Sequence, residues 1–239
     1  MSYFEDVNIR WQDTPNIDAF GRARVSLVTT QQDIKQIHDK LGLFIDEELT
    51  GTATATHSTV NASTELEVSN SGEIAILQTK QRYNYQSGKS QLMFFTFNGF
   101  DNQANTTKRV GYFSSNTTTP FNSDLDGIFL QSDGSNLSVN TYRTGTVTSS
   151  VNRSSWDDSL DGTGASGVNH DFNNNTILAI DFEWLGVGRV RYCIVKDGVI
   201  IPFHSVDFTD TTNVYMSSPN KPLRWDLRAT GSDRDWETL

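Results

Sequence analysis

Cysteine is nearly missing from this chain. Cys193 stands alone in 239 residues, which excludes an internal disulfide and any zinc site built from cysteine clusters. It falls mid-strand in the reading below, where a small apolar filler is expected rather than a reactive thiol. No stretch approaches the ~20 apolar residues of a membrane-spanning helix. Residues 1–20 carry no basic-then-apolar leader, so a soluble, unsecreted chain with no membrane partner is expected. Basic residues are short too, 19 against 29 acidic, and the net charge of −10 repels phosphate backbones, so no nucleic-acid partner is expected.

The motifs of common chemistries are also lacking. His38, His57, His170 and His204 have no metal-ligand spacing, and there is no Gly-x-Ser-x-Gly elbow or phosphate-cradling Gly-x-x-x-x-Gly-Lys-Ser/Thr. GVGRVR (186–191) is glycine-rich but lies between two strands, without the helix N-terminus that binds phosphate. Asp124-Leu-Asp126-Gly127 and Asp157-Asp158-Ser-Leu-Asp161-Gly162 resemble calcium loops, yet neither is followed by the required glutamate, and Asp-Gly is equally a turn signal. No cofactor or metal is expected. There is no internal repeat or heptad.

Thr, Ser, Asn and aromatic residues abound, while helix-favouring Ala, Leu, Glu and Lys are sparse, a composition that suits many short strands and polar turns. The Asn-x-Ser/Thr triplets at Asn61, Asn105, Asn116, Asn136 and Asn152 read as loop composition in a chain without a leader. The clearest pattern is 176–204. Leu178, Ile180, Phe182 and Trp184 alternate with Asp181 and Glu183, the period-2 signature of a strand with one buried face.

A three-residue loop at Gly186–Gly188 sets Trp184 opposite Val190, Phe182 opposite Tyr192 and Ile180 opposite Ile194. Asp197-Gly198 suits a two-residue type I′ turn, pairing Ile194 with Ile201 and Tyr192 with Phe203. The reverse face then carries Glu183, Arg191 and His204 side by side. Such a row suits sugar binding or acid/base work. The favoured reading is plainer: opposite charges in register stabilise an exposed sheet face by roughly 0.2–1 kcal/mol per pair. Trp156 and Tyr142, with Tyr83 and Tyr85, would stack on sugar rings if exposed, though aromatics in sandwiches are more often core.

Further strands are predicted at 53–60, 64–69, 73–80, 90–98, 108–114, 127–132, 136–142, 145–151, 213–217 and 222–229, about a dozen in all, pointing to two stacked antiparallel sheets. Asp133-Gly134 supports a tight hairpin pairing Leu130 with Leu137 and Ile128 with Val139. LMFFTF (92–97) is apolar on both faces and so belongs to a central, doubly covered strand. The 152–175 interval is longer than ordinary loops. One short helix is expected over Thr30–Leu41, capped by Thr30, lined by Ile34, Ile37 and Leu41 and ended by Gly42.

Residues 1–50 therefore read as an arm with a short helix, 51–231 as a β-sandwich domain and 232–239 as a C-terminal tail. In the arm, Phe4, Ile9, Trp11 and Phe20 are scattered apolar anchors. Arg22 and Arg24 alternate on one face, to pair with partner carboxylates or merely to solubilise an edge strand.

DAFGRARVS (18–26) resembles a segment near the N-terminus of structural proteins of tailed phages, especially those of marine bacteria. YQSGKS (85–90), RVGYF (109–113), EWLGVGRV (183–190) and PLRWD (222–226) are similar to the same group, which together covers about residues 16–230. The closing GSDRDWETL departs from the pattern. The resemblance implies a concanavalin-A-like jelly roll, a fold used by lectins, glucanases and virion proteins alike. Laminarinase-type glucanases carry Glu-x-Asp-x-(x-)Glu on one strand, but here Ala179 stands two before Asp181, leaving one carboxylate missing.

The expectation is an all-β protein without enzymatic activity. It would be a phage virion component at the capsid surface, neck or tail, assembled in the host cytoplasm. Its arm (Trp11, Phe20, Arg22, Arg24) would dock on other virion proteins, and it would self-associate as a homo-oligomer. The alternative is a lectin-like module for host surface glycans through Trp156, Tyr142, Glu183, Arg191 and His204, with a glycan hydrolase behind it.

Overall fold

The computed structural model describes residue 23 and residues 29–115, 124–184, 188–231 and 234–238, the last stretch as backbone. Its strands are β1 (Ile45–Leu49), β2 (Thr54–Ser58), β3 (Ser63–Val68), β4 (Ile74–Thr79), β5 (Gln91–Phe97), β6 (Thr106–Ser114) and β7 (Asp126–Ser132). They continue as β8 (Leu137–Arg143), β9 (Thr146–Asn152), β10 (Thr176–Phe182), β11 (Arg189–Lys196), β12 (Val199–Asp207), β13 (Leu223–Ala229) and β14 (Arg234–Thr238). Two seven-stranded antiparallel sheets result: sheet one, β1-β4-β13-β6-β7-β8-β9, and sheet two, β12-β11-β10-β5-β14-β3-β2. The chain is an all-β sandwich of the jelly-roll type.

Alternation drives the stacking. Leu178, Ile180, Phe182, Val190, Tyr192 and Ile194 on sheet two face Val110, Tyr112, Ile128, Leu130, Trp225 and Leu227 on sheet one in a single buried cluster. Gly111 and Gly127 let β6 and β7 approach closely. A Cβ on Gly111 would stand 2.4 Å from the Ile128 carbonyl oxygen, and one on Gly127 2.2 Å from that of Tyr112.

Several expectations need correction. No helix forms over 30–41, and the one helical turn among the described residues is a 3-10 turn at Arg153–Ser155. An isolated helix that short is marginal. Instead Ile34 packs on the core, Gln36 is buried and its carbonyl meets His57 Nε2 at 2.7 Å. Residues 213–217 form no strand, though Tyr215 and Met216 are core. β1 lies within the stretch read as arm, and β14 lies within the tail, between β5 and β3 in the interior of sheet two. The 92–97 strand is central as predicted but covered on one face only, since Leu92 and Phe94 are exposed.

Hairpin registers differ as well. Phe182 faces Val190, Ile180 faces Tyr192 and Leu178 faces Ile194, two residues from the expected pairing. Leu130 faces Val139 because Asp133 accepts from Ser135 N (2.9 Å) and Asn136 N (2.7 Å), making a four-residue turn. Asp197 (φ 52°) and Gly198 (φ 76°) do form the expected two-residue turn, with Ile194 facing Ile201. A bulge between Tyr192 and Cys193 then sets Tyr192 against His204 instead of Phe203.

Candidate functional site

The register decides what the polar row is. β10 and β11 place Asp181 opposite Arg191, and their side chains form a buried ion pair, Arg191 Nη2 to Asp181 Oδ2. Glu183 sits just beyond β10 across from Arg189, whose backbone N–H donates to its Oε1 at 3.2 Å. Glu183 is buried, and a side chain on Gly188 would collide with its Cγ at 2.4 Å. Across from Arg191 on β12 stands Ser205, not His204.

His204 turns to the long loop. Its Nδ1 accepts the Asp157 N–H at 3.3 Å and lies 3.1 Å from Asp157 Oδ2, while the Ser205 N–H donates to that carboxylate at 3.0 Å. Burial pushes the imidazole pKa down, and Asp157 only partly offsets this, which favours the neutral ring. The expected Glu183–Arg191–His204 row is therefore not assembled. A two-residue change of register and one bulge redistribute its members among three separate partners.

The aromatic platform is not assembled either. Trp156 is buried, with its ring 4.5 Å from Phe203 and 6.1 Å from Phe172, and its Nε1–H donates to the Val151 carbonyl at 2.9 Å. It is a core residue that pins the loop, with no face left for a sugar. Tyr142 packs on Phe129 (5.3 Å) on the outer face of sheet one, across the sandwich from Asp181 and Arg191. Tyr83 is buried and Tyr85 stacks on Phe182 at 5.8 Å. Trp11, Phe20, Arg22 and Arg24 lie outside the described residues.

The carboxylates of the supposed calcium loops are engaged within the fold: Asp126 accepts from Ser217 N (3.0 Å) and pairs with Lys221 (3.3 Å), Asp157 holds Ser205 and His204, and Asp158 and Asp161 brace the long loop itself. Asp158 caps Leu160 N (2.9 Å) and Ser166 N (2.8 Å), and Asp161 accepts from Thr163 N (2.8 Å) and its hydroxyl (2.6 Å). Among the described residues no three His, Cys, Asp or Glu side chains are grouped to hold a metal ion.

One constellation was missed. On the outer face of sheet one Asp226 is fully buried, with Arg224 at 2.9 Å, Arg228 at 2.8 Å and Arg109 at 3.7 Å. Arg224 also donates to Ser115 Oγ (2.6 Å) and lies over the Phe113 ring (5.2 Å), and Arg109 donates to Gln131 Oε1 (2.8 Å). Burial pushes the Asp226 carboxyl up, but the three guanidinium groups outweigh it and hold it at about 2. The alternation Arg224-Trp225-Asp226-Leu227-Arg228 was the available signal.

No family model and no curated protein sequence matches the chain. Solved structures do. A β-1,3-1,4-glucanase (lichenase) from a mouse hindgut metagenome shares 8% identity over 86% of this chain and 93% of its own, with a TM-score of 0.55. The Bacillus licheniformis β-glucanase (10% identity, 86% and 96% covered) gives 0.53. The potassium-bound carbohydrate recognition domain of Emp46p (10% identity, 86% and 92% covered) also gives 0.53. Likeness at this identity establishes the fold, the β-sandwich shared by lectins and glucanases, and leaves the chemistry to the residues.

Proposed function

We propose that this chain is a non-catalytic virion component of a tailed phage, which binds neighbouring subunits through its N-terminal arm and presents the sandwich outward. The observation that carries the non-catalytic part is the state of the glucanase-like strand. Ala179 replaces one carboxylate, and Asp181 is buried against Arg191. A glycosidase needs two carboxyl groups flanking an accessible bond roughly 5–9 Å apart. The DAFGRARVS segment supports the virion part by resemblance. Deleting residues 1–28 should abolish incorporation into particles and self-association while leaving the sandwich folded. Undiminished incorporation would remove the arm from the account.

A second reading is recognition of host surface glycans, favoured by the Emp46p carbohydrate recognition domain among the likenesses. A glycan array probed with the folded protein tests it. Hydrolysis that disappears in Glu183→Gln would instead favour an enzyme.

A further inference from the structure

We infer that a polar cleft at one end of the sandwich is a subsite for a single neutral sugar residue, an inference that rests on the glycan-binding reading. The cleft is a shallow depression, open to solvent and of about 290 Å³, where the segment after β5, the β7–β8 turn and the start of the long loop meet. That is near the lower end of the range for small-ligand pockets. Asn102, Asn136, Asn152, Arg153 and Asp161 line it, with Leu137 and serines between them.

Its walls are set before any ligand arrives. Arg153 donates through Nε to the Ser159 carbonyl (2.7 Å) and through Nη2 to those of Leu160 (2.8 Å) and His170 (3.0 Å). Asn102 Oδ1 accepts from the Ser132 hydroxyl at 3.0 Å, and the Asp133 carboxylate fixes the turn bearing Asn136. The loop beyond is closed by Gly162 N to the Val168 carbonyl (3.0 Å) and His170 N to that of Leu160 (2.9 Å). Trp156, Leu160 and Phe172 plug it into the core. A long loop with this many internal bonds presents its polar groups at little ordering cost on binding.

The lining selects the ligand class. The Asn136 and Asn152 side-chain amides and Arg153 Nη1 make no hydrogen bond among the described residues, so they keep donors and acceptors for a guest. Hydrogen bonds from the Thr163 hydroxyl and amide hold the Asp161 carboxyl at about 2, an anionic acceptor at neutral pH. Arg153 and Asp161 offset each other, so a phosphate or carboxylate gains no surplus of positive charge. No aromatic side chain lines the cleft, and Leu137 is its one large apolar side chain, so a nucleobase or hydrocarbon has little to rest on. What fits is a neutral polyol, each hydroxyl both donating and accepting. One sugar ring held this way binds at about millimolar Kd, and many copies on one particle would supply avidity.

The test pairs the glycan array with a backbone amide shift titration of the full chain, using methyl glycosides of glucose, mannose and galactose and N-acetylglucosamine. Saturable shifts are expected at Asn136, Asn152 and Arg153. Asn136→Leu with Asn152→Leu, both at exposed positions, should weaken binding at least tenfold without moving the melting temperature. Array binding or saturation unchanged in the double variant would overturn the cleft and leave glycan recognition standing elsewhere. A wild-type protein that binds nothing on the array and shows no saturable shift would overturn both.

Discussion

Replacing Trp156 by alanine should destabilise the whole sandwich. The indole is 6% exposed and wedged between Phe203 and Phe172, and its N–H is held by the Val151 carbonyl. Removing a buried tryptophan typically costs about 3–5 kcal/mol. For a chain of this size each kcal/mol lowers Tm by roughly 2–4 °C, so a fall of about 6–20 °C is expected. Trp156→Phe keeps one six-membered ring but removes the pyrrole part and the hydrogen bond, so a smaller loss of about 1–3 kcal/mol is expected. Thermal and urea unfolding followed by far-UV circular dichroism measures both. Tryptophan fluorescence is the wrong probe, because the chain has five tryptophans. A Trp156→Ala protein melting within about 2 °C of wild type would refute the core assignment. Loss of glycan binding in that variant would not by itself identify a sugar platform, because the loop bearing Arg153 and Asp161 hangs on the same ring.

Arg191→Leu should cost about 3–5 kcal/mol by removing the ion-pair partner of buried Asp181, whereas the double variant with Asp181→Leu should recover most of that loss, as a double-mutant cycle would show. Asp226 lies at about 2 in the fold and higher when unfolded, so its contribution is complete above about pH 5 and lost as pH falls toward 2. Asp226→Asn should therefore lower stability at pH 7 and flatten the acid limb of the urea midpoint plotted against pH. A variant with an unchanged acid limb would refute the role of the arginines. Gly111→Ala, whose methyl would meet the backbone of β7 at 2.4 and 2.6 Å, should cost about 1–3 kcal/mol, read as a lowered Tm.

The faces of the strands were legible and their registers were not, for one physical reason. Side chains alternate with period 2, so a slip by one residue exposes a core face while a slip by two preserves it. Leu178, Ile180, Phe182, Val190, Tyr192 and Ile194 are all buried as read, yet each β10–β11 pair sits two residues from its expected position. Only the turn can separate such registers. Asp197-Gly198 did so because both residues take positive φ. Asp133-Gly134 did not, because the Asp133 carboxylate captures two N–H groups further on and lengthens the turn. The same slip moved the partner of Arg191 from Glu183 to Asp181 and dissolved the expected row.

Exposure was the second thing the pattern could not carry. Charged residues at alternate strand positions read as a solvent face, since charges are rarely buried. In this sandwich Asp181 with Arg191 and Asp226 with Arg224 occupy the outer faces of two different sheets, and all four are buried. An ion pair can occupy such a place when each charge supplies the other's lost hydration, and its net contribution to stability is then small. Alternation reports which side of a sheet a residue lies on, whereas covering that side depends on chain distant in sequence. A strand with charge on one face and hydrocarbon on the other thus fits a solvated edge, a catalytic cleft or a buried ionic seam equally well. Here the partners decide: Asp181 and Asp226 each meet arginine within the fold, so both rows are seams.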